Sequence, residues 1–369
     1  MERRKFLENS GLVASTALLA GLSNYALSAP LLSQPYKKKG DGDKKVKIGL
    51  YSISYLGIWY DGPALTWEEM VGKAREFGYD GIELDNKRPL GNPMDLDQRK
   101  RDDMRNIIEK AGMEVPCVAA NNDFSSPIPE HRECQLLMVR ETARLAKDLG
   151  SKMVRLFAAW PGVPIHNGTG TYEFTRGNYY SYERQYPFVT RLDRWNLVKE
   201  GLKEAAAFGE EFGVIMALQN HKPLIRDWWD TYDMVKEVDS PWLKVCLDAP
   251  IMTRHDKEWV EEAVNTVGEM QVHSHFGGEY YRDAGGNIQQ RHNRNELIGS
   301  KFSHEMPDYE HYMRLMKEIG YEGYFTYELC HSVLDENHKP ANLDYVHTQV
   351  RMAQEYMQKI IDKTYPDSL

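Results

Sequence analysis

The chain has 369 residues, 41% hydrophobic and 27% charged, an ordinary globular composition with length enough for one large barrel or two small domains. A net charge of −9 leaves no basic field to hold a polyanion, which argues against nucleic acid as a partner. Four cysteines, Cys117, Cys134, Cys246 and Cys330, show no CxxC spacing and read as small hydrophobes, so neither a disulfide frame nor a zinc–cysteine site is expected.

The N-terminus pairs Arg3 and Arg4 with Lys5, Phe6 and Leu7, then runs uncharged from Ser10 to Ala29 in Gly, Ala, Leu, Val and Ser. That pattern resembles a twin-arginine export signal, and the run is too weakly apolar for a good membrane-spanning helix. Small residues at Ala26 to Ala29 suit cleavage, and Lys37 to Lys45 form a charged linker without core-forming residues. The expected organisation is an export signal over 1–29, a linker over 30–45 and one folded domain over 46–369. The mature protein is then exported to the periplasm with no stable membrane insertion.

From Val46 the chain alternates strand and helix. Val46 to Tyr51 reads as a first strand, and Thr66 with Glu69 offers a capping box that starts a helix ending near Phe77. A helix, a glycine and a strand then recur. Gly78 precedes Ile82 to Leu84, Gly112 precedes Val115 to Ala119, and Gly150 precedes Met153 to Phe157. Gly213 precedes Val214 to Leu218, and Gly320 precedes Tyr324 to Tyr327. Glycine closes a helix in the left-handed conformation at low cost, so one punctuation mark repeated five times implies a repeated βα unit. Adding the runs at Val245 and Val272 gives eight strands, the number of a (β/α)8 TIM barrel. An open doubly wound sheet would want a glycine-rich nucleotide turn, and no such sequence is present.

Three of the apolar runs end in potential metal ligands. They close on Asp248, on His273 and His275, and on Glu328, while the Val214 run closes on Gln219, Asn220 and His221. In a barrel, strand C-termini converge on one mouth, where Asp, His and Glu make a mixed oxygen and nitrogen site for a divalent cation. His273 and His275 share a strand face because side chains alternate.

The phrases Gly78-Tyr79-Asp80-Gly81-Ile82-Glu83, Leu218-Gln219-Asn220-His221, Leu247-Asp248, Val272-His273-Ser274-His275 and Tyr327-Glu328 occur in an order and spacing that resembles the xylose-isomerase-like barrel superfamily. That group includes sugar isomerases, ketose 3-epimerases, inosose dehydratases and the endonuclease IV branch, and the resemblance covers about 46–361. It implies one divalent ion (Mn, Mg, Co or Zn) held at the ends of strands five to eight. Carried over residue by residue, the ligands are Gln219, Asp248, His275 and Glu328, with Gln219 standing where the family has a glutamate. His275 is preferred to His273 as the ligand because it lies further along its strand. His273 would then be second to the metal or face the substrate.

A glutamine can offer a carbonyl oxygen to a hard cation but cannot take a proton. One candidate base among the ligands is left, Glu328, which suffices for β-elimination or same-face isomerisation. Epimerisation would need a second group such as His221 or Glu83. The implied chemistry is an enediolate route on a sugar or keto-sugar, by an isomerase, an epimerase or a lyase. Further strand-end residues that would touch substrate are Arg155, Asn121 and Lys222; Arg155 could instead pair with Glu83 inside the barrel.

Long segments at 160–195 and 276–306 carry many Tyr, Asn and Arg residues and read as loops that suit either a larger sugar or a contact between copies of the chain in a homo-oligomer. The alternatives to an enzyme of this class are an exported sugar-binding barrel that has lost its chemistry and an endonuclease-like phosphodiesterase. The acidic balance weakens the second.

Overall fold

The computed structural model describes residues 46–166, 169–170, 184–292, 294 and 306–366. The export signal and linker expected over 1–45 lie outside the described residues. Among the described residues no helix is long and apolar enough to cross a membrane.

Eight parallel strands close into a barrel. In chain order they are β1 (Val46–Tyr51), β2 (Gly81–Asp85), β3 (Val118–Ala119), β4 (Met153–Leu156), β7 (Ile215–Gln219), β8 (Leu243–Cys246), β9 (Gln271–Gly277) and β12 (Gly323–Glu328). Around the barrel they run β1-β12-β9-β8-β7-β4-β3-β2, so each strand pairs with its successor and the last pairs with the first. The helices α1 (Trp67–Phe77), α2 (Gln98–Lys110), α3 (Pro129–Asp148), α4 (Arg191–Phe212), α5 (Trp228–Val238), α6 (Lys257–Val267), α7 (Tyr309–Glu318) and α8 (Leu343–Thr364) fill the intervals. The expected (β/α)8 barrel is the observed one.

The local grammar explains the repeat. At α1 the Thr66 hydroxyl accepts from the Glu69 N–H, and the Glu69 carboxylate accepts the Thr66 N–H at 2.8 Å, which satisfies two donors that the first helical turn leaves open. The five glycines that follow helices, Gly78, Gly112, Gly150, Gly213 and Gly320, all have positive φ, from 70° at Gly213 to 86° at Gly78. Residues with a Cβ pay for that conformation and glycine does not.

One strand departs from expectation. The run from Val115 forms regular ladder only at Val118–Ala119, because Pro116 has no N–H to donate. The irregular stretch still closes the barrel: the Glu114 and Cys117 carbonyls accept from the Ile82 and Leu84 N–H groups, each at 3.0 Å.

The two long segments are less loop-like than their composition suggests. In the first, Ile165–His166 and Thr169–Gly170 form a small hairpin (β5 and β6), and residues from Arg191 on, including buried Trp195, belong to α4. Tyr172, Phe174, Tyr179, Tyr180 and Tyr182 lie outside the described residues. In the second, Phe276 and Gly277 continue β9, and Glu279–Arg282 pairs with Ile288–Arg291 as an antiparallel hairpin (β10 and β11). Tyr280 is fully buried there, with its ring 5.1 Å from that of Tyr356 on α8, so this tyrosine packs the hairpin down and is not available to stack on a ligand.

Candidate metal centre

Asp248, His275 and Glu328 come from three neighbouring strands. Asp248 lies two residues past β8, His275 near the end of β9, and Glu328 is the last residue of β12. One ligand atom from each lies within 4.8 Å of the others, and all three residues are buried. The His275 Nδ1 stands 3.6 Å from an Asp248 oxygen and 3.9 Å from a Glu328 oxygen. The backbone is held in place by amide side chains. Asn220 accepts the Asp248 N–H at 2.7 Å and donates to its carbonyl at 3.1 Å, and Gln271 accepts the Leu247 N–H at 3.0 Å.

The other ring nitrogen of His275 faces a different carboxylate. Its Nε2 lies 2.9 Å from Glu83 Oε2, which also meets His273 Nε2 at 2.7 Å, while Glu83 Oε1 accepts from Arg155 Nε at 2.7 Å. A histidine that binds metal through one nitrogen and donates the other N–H to a carboxylate is fixed in tautomer and orientation. Glu83, His273 and His275 also bring ligand atoms within the same 4.8 Å, but here Arg155 already neutralises the carboxylate. Arg155 is clamped between two rings, 4.8 Å from the Tyr51 centroid and 5.1 Å from that of Phe157.

The charges differ accordingly. Glu83 sits well below the ordinary carboxylate range: burial pushes it up, and the Arg155 guanidinium with the two histidines outweighs burial. Glu328 is pushed up to about 7, first by burial and then by the Asp248 charge. Burial opposes protonation of His275, but Glu83, Glu328 and Asp248 carry it up to about 10. Asp248 Oδ1 is buried with no hydrogen-bond partner among the described residues. An orphaned anionic oxygen, a carboxyl raised by a neighbouring carboxylate and a histidine over-stabilised as a cation all call for positive charge at one point. That donor set of two carboxylate oxygens and an imidazole fits a divalent metal ion.

The other residues singled out from sequence divide into two groups. Gln219, expected as a ligand through its carbonyl oxygen, instead gives that oxygen to Arg155 Nη1 at 2.6 Å and turns its Nε2 to Asp248 Oδ2 at 2.6 Å. Glu83 and Arg155 form the buried pair that sequence reasoning raised as the alternative to substrate contact, and His273 hydrogen-bonds Glu83 and Thr326. His221, Asn121 and Lys222 follow their strands at the mouth. Lys222 is exposed. The His221 ring is packed edge-on by Phe157 and Trp160 at 5.0 and 4.5 Å, and burial lowers it to about 4, so it is neutral at pH 7. Its Nδ1 donates to the Lys222 carbonyl at 2.7 Å, which leaves Nε2 as the acceptor nitrogen.

Sequence reasoning passed over Lys87 and Tyr51. Lys87 Nζ bridges Asp85, at 3.1 Å, and Asn121, whose Nδ2 donates back to Asp85 at 2.7 Å. Burial lowers the Lys87 ammonium. The Tyr51 hydroxyl donates to the same carboxylate at 2.5 Å, and its ring stacks on His275 with centroids 6.0 Å apart. The signal available was Lys87 two residues after Asp85 at a strand end.

The mouth is roofed. Strands β4 and β12 face each other across the ring of eight, and the β5–β6 hairpin after β4 reaches over to the loops that follow β1 and β12. The Gly170 N–H donates to the Ile58 carbonyl at 2.6 Å, and the Gly170 carbonyl accepts from Ser332 Oγ at 2.9 Å. A Cβ at Gly170 would stand 3.0 Å from side-chain atoms of both Trp59 and Val163, tighter than an ordinary contact, so glycine lets the hairpin approach without either neighbour shifting.

Among solved structures, the chain is similar to L-ribulose 3-epimerase, with 17% identity and TM-score 0.61 over 88% of this chain and 97% of that one. It is also similar to 3-keto-D-glucoside 4-epimerase YcjR from E. coli, at 15% and 0.57 over 85% and 99%. The IOLI protein solved with a bound zinc atom matches at 14% and 0.58 over 86% and 99%. No curated protein matches the sequence. At such identities the likeness shows the fold. The profile described as "Xylose isomerase-like TIM barrel" matches residues 71–355, well over half the chain. The chain belongs to the xylose isomerase-like TIM barrel family.

Proposed function

We propose that this chain is a divalent-metal-dependent enzyme that removes a proton beside the carbonyl of a sugar or keto-sugar, with Glu328 as the base. One observation carries the reading: Asp248, His275 and Glu328 bring buried ligand atoms together at the mouth of a sugar-isomerase-type barrel. The sugar epimerases among the structural neighbours support the substrate class. Asp248, His275 and Glu328 would hold the ion, which when bound would polarise the substrate carbonyl and acidify the adjacent C–H.

The protein's own groups then define the proton path. Glu328, a carboxylate at the end of its strand beside that ion, can take a proton and return it. Gln219 cannot share that work, and both Glu83 oxygens are occupied by Arg155, His273 and His275. A proton returned on the same face needs only Glu328. One returned on the opposite face would come from a group that carries a proton, such as the Lys87 ammonium, while His221, neutral with Nε2 unprotonated, could take a proton there in the reverse direction. Phe157 and Trp160 pack edge-on against the His221 ring, and the β5–β6 hairpin is tied across the mouth at Gly170. The twin-arginine-type N-terminus is the ground for placing this activity outside the cytoplasm, and Mn, Mg, Co and Zn all suit the donor set.

Incubation of the metal-loaded protein in heavy water with keto-sugars and 3-keto-glycosides tests the reading. Deuterium enters the carbon next to the carbonyl, and the product identifies isomer, epimer or alkene. Glu328→Gln abolishes the exchange; exchange that survives this substitution removes Glu328 from the role of base.

A further inference from the structure

Gln219 ends β7 with 1% of its surface exposed, between two neighbours of opposite demand. On one side is a guanidinium, which only donates; on the other is a carboxylate, which when ionised only accepts. The amide meets both with one orientation: Oε1 takes Arg155 Nη1 at 2.6 Å, and Nε2 gives to Asp248 Oδ2 at 2.6 Å, with His275 Nδ1 a further 3.3 Å contact. Flipping the amide would oppose N–H to N–H at Arg155 and oxygen to oxygen at Asp248. Two buried hydrogen bonds would be lost and two repulsions gained. Arg155 cannot move aside to relieve this, because Glu83 holds its Nε and the Tyr51 and Phe157 rings enclose it.

Asp248 is divided by the same contact. Its Oδ2 is engaged by Gln219, its backbone N–H and carbonyl are held by Asn220, and its Oδ1 is left without a partner among the described residues. We propose that Gln219 is neither a metal ligand nor a base but a positioning residue, which fixes the Asp248 carboxylate so that Asp248, His275 and Glu328 alone bind the cation. The assignment rests on the metal centre proposed above. It has a consequence for charge. Two carboxylates and a neutral imidazole balance a divalent ion, whereas a glutamate at 219 would leave the occupied site with an excess negative charge and a weaker pull on a substrate carbonyl.

The test uses the full chain, stripped with a chelator and titrated with Mn2+ by calorimetry, then loaded with Co2+ for its visible spectrum. Gln219→Ala and the apolar isostere Gln219→Met weaken Mn2+ binding by about 10- to 100-fold, as removal of an outer partner does, and leave the cobalt spectrum in place. Asp248→Ala and His275→Ala lose binding by more than about a hundredfold, the larger effect of removing a ligand itself. Gln219→Glu alters the cobalt spectrum, because a carboxylate can now enter the coordination sphere. Melting curves of the metal-free variants separate loss of fold from loss of metal, and Gln219→Met keeps the volume should alanine collapse the site. Gln219 variants that lose binding as Asp248→Ala does, with a changed spectrum, overturn the assignment while leaving the metal centre intact. A wild-type chain that takes up no divalent ion overturns both.

Discussion

Two groups of ionisable residues share one histidine inside the barrel, and they are built on opposite principles. Around Glu83 the acid is answered: each carboxylate oxygen has its donor and Arg155 balances the charge, with only Arg155 Nη2 left without a partner among the described residues. Around Asp248 the answer is withheld. One carboxylate oxygen has no partner among the described residues, Glu328 is pushed up to about 7, and His275 is pulled up to about 10 by the three acids Glu83, Glu328 and Asp248 around it. A closed network rigidifies a core, while an open one stores binding energy for a ligand that completes it. His275 joins them, so the rigid group fixes the ring with which the open group meets its cation.

Breaking the closed group has the largest expected effect. Arg155→Met leaves Glu83 buried without its guanidinium, and removal of one partner from such a pair costs about 3–5 kcal/mol. Denaturant unfolding of the metal-free protein measures this. An unchanged midpoint would mean that the two histidines alone balance Glu83.

The open group predicts the reverse sign. The Glu328 carboxyl holds its proton up to about 7 in the fold, against an ordinary value of 4.5. The folded chain therefore binds more protons than the unfolded one between these values, and stability falls as pH rises through that window. Glu328→Gln removes the cost, so the metal-free variant is more stable than wild type at pH 8 by up to about 3 kcal/mol and equal to it at pH 4. Thermal melts at the two pH values decide it; equal melting points at pH 8 would mean that no strain is stored in this carboxyl.

A smaller effect reports on the shared histidine. Metal ligation needs neutral imidazole. At pH 8 Glu328 is already ionised and His275, raised to about 10, still carries its proton. Uptake of Mn2+ at that pH releases about one proton, read by calorimetry in buffers of different ionisation enthalpy. A wild-type release near zero would show that His275 is neutral before the ion arrives.

The barrel and the order of its strands were legible because they rest on local rules: a capping box at Thr66, five glycines with positive φ, and eight short apolar runs. Where Asp248, His275 and Glu328 meet was legible too, since strand ends in a closed barrel converge. What sequence could not supply was the hydrogen-bond partner of each group. Gln219 reads as a ligand by position, and only Arg155, 64 residues earlier in the chain, shows which end of its amide faces Asp248. Tyr280 reads as a loop aromatic until the hairpin is seen to pack on α8. Lys87 matters through Asn121, a contact between two different strand ends. Pattern encodes which face a residue takes; pairing across the mouth depends on the closed geometry.

The smallest effect concerns the roof that keeps the open group dry. The β5–β6 hairpin is tied to the far side of the mouth by the Ser332 hydroxyl, which donates to the Gly170 carbonyl at 2.9 Å, while the Gly170 N–H remains on Ile58. Loss of one such bond is worth about 1 kcal/mol, so Ser332→Ala populates the lifted hairpin about fivefold more. A lifted roof speeds entry and exit alike. Metal loss to an excess of chelator is therefore about fivefold faster in the variant, and the equilibrium affinity is unchanged. An unaltered rate would place the exit route elsewhere, and a weakened affinity at unaltered entry rate would mean that Ser332 acts on the closed centre itself.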